Sequence, residues 1–520
     1  MSIELNRRTL LRAVPLLGAA AVLSPALAAC GVPKTSPASG SSSSSGGPVK
    51  GGSAVLAIQD DPVNMDPADG QIYASIQVYD NIFSKLLAVT PDFKIVGDLA
   101  TKWNQDDPQT WSFTIADNAF FSSGDAVTAT DVAYSVERMK SHPLSAFVSF
   151  FDTVEVIDDH NFKIHLSKPY GPMEATLASF VGVVSKKAVT TSDPKQHPVG
   201  SGPYKMSEWV QGSHVTLQRW EKYYKKNQPY LDTVTFQSVS DDSVRLSGLQ
   251  SGQFDWIQTV PQQQASSLQS SSSILHTPAR AYLPYLAEVN TTAAPFSDMR
   301  VRQAVNWAID RSAIVKLAFS GNAEEATEAV SKVNPFYSGV NFYAGGPNLA
   351  KAKALMAQAK PSRTSIQILV EAEVQAYVLI AQVLQSNLEQ IGFKVSIVTA
   401  SAADYFTRMA SQKYDLAMTY FSASMDPALT YRLMGYSTSG FNFSGYKSPT
   451  LDKALDTFTL NGDQVARKQY YPTLVRMFQE ESPFIFLANQ YQEYWTSPKL
   501  NGAAPLPNLD IDASVLWKSK

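Results

Sequence analysis

One cysteine in 520 residues, Cys30, sets the terms on which this chain folds. A body with no second thiol has no internal disulfide, so packing alone must hold it. The segment before Cys30 opens on a basic head, Asn6-Arg7-Arg8-Thr9-Leu10-Leu11, and continues as an apolar run from Ala13 to Ala29. The run is shorter than about 20 residues, holds Pro15 and Pro25, and ends in Leu27-Ala28-Ala29-Cys30, which are the parts of an export signal rather than of a membrane-spanning helix. Residues 1–29 are therefore expected to be a cleaved signal peptide.

Leu27-Ala28-Ala29-Cys30 resembles the lipobox of bacterial lipoproteins, and Arg7-Arg8 followed by leucines is similar to a twin-arginine signal. The lipobox resemblance implies a thioether-linked diacylglycerol on Cys30 and acylation of the new N-terminus. One acyl chain gives only marginal membrane binding, at about 0.8 kcal/mol per buried methylene, so two or three chains make a lasting anchor. The location implied is extracytoplasmic, on the outer face of the bacterial cell membrane. Residues 30–51, rich in Ser, Gly and Pro with five serines in a row from Ser41, read as a flexible tether.

Roughly 470 residues follow, enough for two or three units with cores of their own. A net charge of −3, with no basic cluster interleaved with aromatics, argues against a nucleic-acid partner. The 23 Tyr, 25 Phe and 8 Trp will mostly pack cores, but they also suit a binder of organic solutes.

Local patterns place the elements. Residues 53–58 read as a strand and 72–87 as a helix with apolar residues at three- and four-residue spacing. Residues 111–115 alternate strictly, and 154–157 with 162–166 suggest a hairpin. Thr128 and Asp131 stand like a capping box before a helix with Val132, Val136 and Met139 on one face. Ser297 is expected to cap a helix whose Val301, Ala304, Val305, Ala308 and Ile309 share a face. Gly392 should stop a helix over 374–390, before a strand alternating Phe393, Val395 and Ile397. A strand over 414–420 and a helix over 463–481 precede the apolar 484–487. Strands alternating with helices place the chain in the α/β class.

Catalytic signatures are missing. The six histidines form no HExxH, and there is neither a GxSxG elbow nor a Gly-rich loop ending in Lys-Ser or Lys-Thr. Pro203 removes the amide that a phosphate cradle at Gly200-Ser201-Gly202 would use. Asp158-Asp159 and Asp241-Asp242 lie in turn-like sequence. No catalytic residue, cofactor or metal is expected; an exported hydrolase using dispersed carboxylates is the alternative.

Several segments together resemble one family, the extracytoplasmic solute-binding proteins of ABC importers in the peptide- and nickel-binding group (family 5). They are Asn64-Met65-Asp66-Pro67, Phe121-Ser122-Ser123-Gly124-Asp125-Ala126-Val127-Thr128-Ala129-Thr130-Asp131-Val132, Pro198-Val199-Gly200-Ser201-Gly202-Pro203-Tyr204, Leu249-Gln250-Ser251-Gly252-Gln253-Phe254-Asp255, Arg300-Val301-Arg302-Gln303-Ala304-Val305 and Ala308-Ile309-Asp310-Arg311. The resemblance implies an α/β, two-lobed periplasmic-binding-protein-like fold with an extra sub-domain in the first lobe. By analogy, residues 52–90, 195–285 and 490–520 form the first-lobe core, 91–194 its sub-domain and 286–489 the second lobe. The implied role is capture of a peptide or related small organic solute between the lobes by a monomer, for delivery to ABC permease and ATPase subunits. A module that senses or scaffolds without transport is a further alternative. On the bare residues, Gly202 should supply a special backbone conformation, Gly124 should turn the chain, and Asp310 with Arg311 should serve helix-end electrostatics.

The segment Phe421-Ser422-Ala423-Ser424-Met425-Asp426-Pro427 corresponds to a strand-to-loop segment that reaches the cleft in the family. Many peptide binders carry an acid in its middle to pair with the peptide amine; here Ala423 and Ser424 stand there, and Asp426 falls on the Asp-Pro turn. A buried ammonium without a partner is costly, so a peptide amine would need another carboxylate, or the solute lacks one. An oligosaccharide or small conjugate is the alternative solute. Phe421, Ser424 and Met425, with Phe180 on the opposite lobe and Tyr73 and Phe147 nearby, are the expected ligand contacts. Nickel is disfavoured because no histidine follows His276.

Overall fold

The computed structural model describes residues 47–69, 73–421, 425–508 and 510–519, apart from the side chains of 262, 263, 266 and 278–282. The chain from Pro48 begins with β1 (Ser53–Ile58). A four-stranded insertion follows: β2 (Ala100–Asp107), β3 (Thr110–Ile115), β4 (Phe151–Val156) and β5 (Asn161–Leu166). Then come β6 (Tyr204–Val210), β7 (His214–Arg219), β8 (Thr233–Ser238), β9 (Trp256–Ile257) and the long β10 (Leu275–Val289). After β11 (Ala323–Glu325), β12 (Ser365–Glu371), β13 (Lys394–Ala400) and β14 (Leu416–Tyr420), the chain returns on the long β15 (Phe484–Thr496).

Eleven strands form one sheet, ordered β13-β12-β14-β10-β15-β9-β1-β8-β7-β6, with β11 also paired to β15. β1 runs parallel to β8 and β9, and β12 runs parallel to β13 and β14. The antiparallel pair β10–β15 joins these two parallel groups. The insertion forms its own sheet, β2-β3-β5-β4.

Each end has its own core. Leu56, Val78, Tyr204, Phe236 and Tyr494 pack in the first lobe. Val305, Ile368, Leu384, Leu416 and Ile485 pack in the second. Phe113, Phe121, Val132 and Phe162 pack in the sub-domain.

Local chemistry explains most boundaries. β3 and β5 each alternate partly buried with buried residues, and the inward Phe113 and Phe162 stack at 5.3 Å. The Thr128–Asp131 capping box opens the helix Ala129–Met139. The helix Gln375–Glu389 ends before Gly392, whose φ of +102° suits glycine.

Four expectations change. The helix expected over 72–87 spans only Tyr73–Tyr79. Its continuation is spent on the Gly200–Tyr204 turn, since Ile82 O accepts from Gly202 N and Asn81 O from Tyr204 N. Gly202 is needed for that close approach rather than for a special φ, because a Cβ there would lie 2.7 Å from Ile82 O. Asp298, not Ser297, caps the helix Met299–Ala308, accepting from Arg300 N. Asp310 does cap the helix Arg311–Ala318, but Arg311 is buried and donates to Ala326 O, Phe486 O and Asn306 Oδ1, tying that helix to β15.

Candidate functional site

Ligands of parallel sheets bind beyond the carboxyl ends of the strands. Here two sets of such ends face one another. β9 ends at Ile257 opposite Trp495, and β14 ends at Tyr420 opposite Tyr285, so both point at the middle of the β10–β15 pair. In that span the register shifts between Pro278 and Ala281, between Ala281 and Leu283, and between Tyr285 and Leu286. Such irregularities break a ladder and bend its strands beside functional sites.

A cavity of about 570 Å³ lies there. Gln59, Gln258 and Thr259 line it from the first lobe, Glu373 and Tyr420 from the second, and residues 490–493 from between. The charged side chains described in its wall are all acidic: Asp241, Asp242, Glu373 and Glu493. Asp241 caps the helix Asp242–Ser251, and Asp242 pairs with the buried Arg245. Glu493 lies 3.1 Å from His276 Nε2.

Two further acids lie within two residues of the lining without being part of it, Asp60 after Gln59 and Glu371 at the end of β12 before Glu373. Burial raises the Asp60 carboxyl against the pull of Arg245. Glu371 is raised by burial, then by the charges of Glu373 and Asp60. The Tyr420 hydroxyl is raised by burial and by Asp60 and Glu371. Negative charge from both lobes is thus felt across the gap.

The structure places four of the six expected contacts in or against the sub-domain core, not in the lining of this cavity. Met425 is buried in that core, and Tyr73, Phe147 and Phe180 pack against it together with Leu283 and Val333. Phe147 and Phe180 stack face to face at 3.8 Å. Burial raises the Tyr73 hydroxyl well above its ordinary range, with Tyr494, Asp510 and Tyr420 adding to the effect. Phe421 turns instead to the second-lobe core, and its amide donates to Pro284 O at 3.3 Å. Ser424 lies outside the described residues, as does Cys30.

Asp426 has a structural task. Its carboxylate caps the helix Pro427–Gly435 and takes both guanidinium nitrogens of the buried Arg467 at 2.6 Å. Beside it the second lobe meets the sub-domain. Gly171 N donates to Thr459 O at 2.8 Å, Gln464 Nε2 donates to Gly171 O at 2.8 Å, and a Cβ on Gly171 would lie 2.5 Å from Arg467 Nε.

Sequence reasoning passed over Asp60, Glu371 and Gln492. The only available signal was position, since each sits at or just past the end of a strand or within a long one. Among the described residues, no group of three His, Cys, Asp or Glu side chains is placed to hold a metal, and no helix is long and apolar enough to cross a membrane.

Comparison with known proteins agrees with this geometry. A glutathione-binding protein, GsiB, of Pectobacterium atrosepticum is 26% identical over 474 residues, covering 88% of this chain and 92% of the relative. The Helicobacter pylori periplasmic binding protein DppA, solved with the peptide STSA, superposes with a TM-score of 0.80 at 22% identity, covering 91% of this chain and 99% of its own. AgaA of A. tumefaciens R10, solved with agropinic acid, gives 0.80 at 25% identity, covering 90% and 99%. Residues 94–443, more than half of the chain, match the bacterial extracellular solute-binding proteins, family 5 Middle. The two-lobed α/β fold and this match identify the chain as a bacterial extracellular solute-binding protein of family 5.

Proposed function

We propose that this protein captures a peptide or related small organic solute between its two lobes, without chemical change, and hands it to the permease and ATPase subunits of an ABC importer. The observation that carries this reading is the cavity at the facing strand ends, walled by both lobes. Relatives solved or named with a peptide or with glutathione support it. The proposed division keeps 52–90, 195–285 and 490–520 as the first-lobe core, 91–194 as its sub-domain and 286–489 as the second lobe. Phe147, Phe180, Tyr73 and Met425 would form an apolar wall, with Phe421 and Ser424 on the loop beside it. Titration with the solute released from freshly purified protein, followed by small-angle scattering, should show saturable compaction of a monomer. A broad set of peptides, sugars and conjugates that gives no compaction would sink the reading.

A nonpeptide solute is the second reading. Asp426 is committed to Arg467, so no described carboxylate on that loop is left for a peptide amine, and AgaA was solved with agropinic acid. Native mass spectrometry of the purified protein separates the two readings by the mass of what it retains.

We further propose that a lipid on Cys30 tethers the protein to the outer face of the cell membrane. Cys30→Ala should release it from the membrane fraction; retention of that variant would count against the anchor.

A further inference from the structure

The cavity at the strand ends has two unlike walls. On one side lie rings of the second-lobe core or packed upon it, Tyr285, Phe319 and Tyr420. Tyr285 stands 4.9 Å from Phe319 and 5.6 Å from Tyr420, ring to ring. Its hydroxyl donates to Gln490 Oε1 at 3.0 Å and so fixes the ring. Tyr420 is 42% exposed and has ring surface to offer. The first lobe and β15 supply neutral amides instead: Gln59 after β1, Gln258 after β9, and Gln490 and Gln492 on β15.

Two of these amides are unsatisfied. Among the described residues, the side-chain oxygen of Gln258 and the side-chain nitrogen of Gln492 are buried with no hydrogen-bond partner, and Gln492 is only 5% exposed. A buried polar group left in this state costs about 1–3 kcal/mol, which a matching bound group would recover. The two come from adjoining strands, since β9 pairs with β15 through Ile257 and Trp495. One therefore asks for a donor and the other for an acceptor in the same neighbourhood. An ammonium offers donors only and a carboxylate acceptors only, whereas a hydroxyl offers both at one atom. Turning either amide over exchanges what it asks for, and a hydroxyl still meets it.

We infer that the solute is a short oligosaccharide, with the C–H face of one sugar ring on Tyr420 and hydroxyls along its rim bound by Gln258 and Gln492. This deepens the capture role proposed above, in its nonpeptide reading, and rests on it. A sugar ring is apolar across its face and polar around its edge, which is the division between the two walls. A peptide main chain offers donors and acceptors without a flat apolar face of its own. The volume of about 570 Å³ falls inside the ~300–1,000 Å³ of small-ligand sites, so it suits a short oligosaccharide rather than a polymer.

The test uses the purified full-length chain, freed of retained solute by unfolding and refolding, and two equimolar pools read by native mass spectrometry. One pool holds cellotriose, maltotriose, xylotriose and mannotriose; the other holds synthetic tripeptides. At least one trisaccharide should be retained about ten-fold or more over any tripeptide. Gln258→Leu and Gln492→Leu should each cut that retention about ten-fold, and Tyr420→Ala about five-fold. The melting temperatures of the two glutamine variants should not fall, because each removes an unpaired buried amide; a fall in both would mark the amides as structural and overturn the assignment. Should either variant fail to refold, Gln258→Asn or Gln492→Asn, which withdraws the amide by one methylene, takes its place. Retention of tripeptides alone, or trisaccharide retention untouched in any of the three variants, overturns the inference and leaves solute capture standing. Retention from neither pool also overturns it, and capture is then decided by the scattering measurement proposed above.

Discussion

Asp426 and the Asp60–Glu371 pair are carboxylates placed near the meeting of the two lobes, and they are treated in opposite ways. Asp426 is sealed, with its side chain 5% exposed against an Arg467 that is 0% exposed and both guanidinium nitrogens in place. Asp60 and Glu371 keep raised carboxyls and raise the hydroxyl of Tyr420 between them. A paired buried charge fixes architecture, whereas carboxylates beside a cavity perturb one another's protonation. The difference separates a charge that builds the fold from charges that border an open space.

The largest expected effect comes from breaking the sealed pair. Arg467→Met leaves Asp426 buried without its cation and should cost about 3–5 kcal/mol, read from denaturant unfolding. A loss well below 1 kcal/mol would mean that the pair is replaceable and the contrast misplaced.

Glu288 sharpens the contrast with a third setting. It is fully buried, and neither of its carboxylate oxygens has a hydrogen-bond partner. Burial raises it from 4.5 to about 8. The native chain therefore keeps a proton that the unfolded chain loses. The contribution of Glu288 to stability is therefore largest below about pH 4.5, falls by a few kcal/mol as pH rises through about 8, and then levels. Glu288→Gln should flatten that slope in unfolding measured across the pH range; an unchanged slope would refute the assignment.

A smaller effect is expected where the lobes touch. Gly171→Ala places a Cβ against Asn461 O and Arg467, at a cost of about 1–3 kcal/mol. Because the clash lies between lobes, part of it should appear as expansion in small-angle scattering with both cores intact. Smallest of all, Phe180→Leu keeps most of the buried area but removes the stack with Phe147, worth about 1 kcal/mol. If that pair walls the solute, calorimetry with the retained solute will show an affinity loss larger than the stability loss.

What could be read from the sequence was local. The Thr128–Asp131 cap, the alternation of residues 111–115 and the stop at Gly392 each need only a few neighbours, and each stands in the structure. The helix expected through residue 87 failed because its carbonyls at Asn81 and Ile82 are claimed by a turn more than a hundred residues later in the chain. Arg311 was misread for the same reason, since its partners lie in β15 and in the segment after β11. The cavity was illegible on similar grounds. Gln59, Gln258, Tyr420 and Gln492 become neighbours only once two parallel groups are joined by an antiparallel pair.

That joining pair has a mechanical consequence. A wide sheet resists twisting because every strand is braced on both sides, but mid-span the load falls on β10 and β15, whose register slips three times within the stretch from Pro278 to Leu286. A connection so interrupted should behave as a soft torsion bar between two stiffer plates. Amide hydrogens in that stretch should exchange with deuterium ahead of those at Leu56 or Leu416, and the bar's compliance sets how little solute energy is needed to swing the plates.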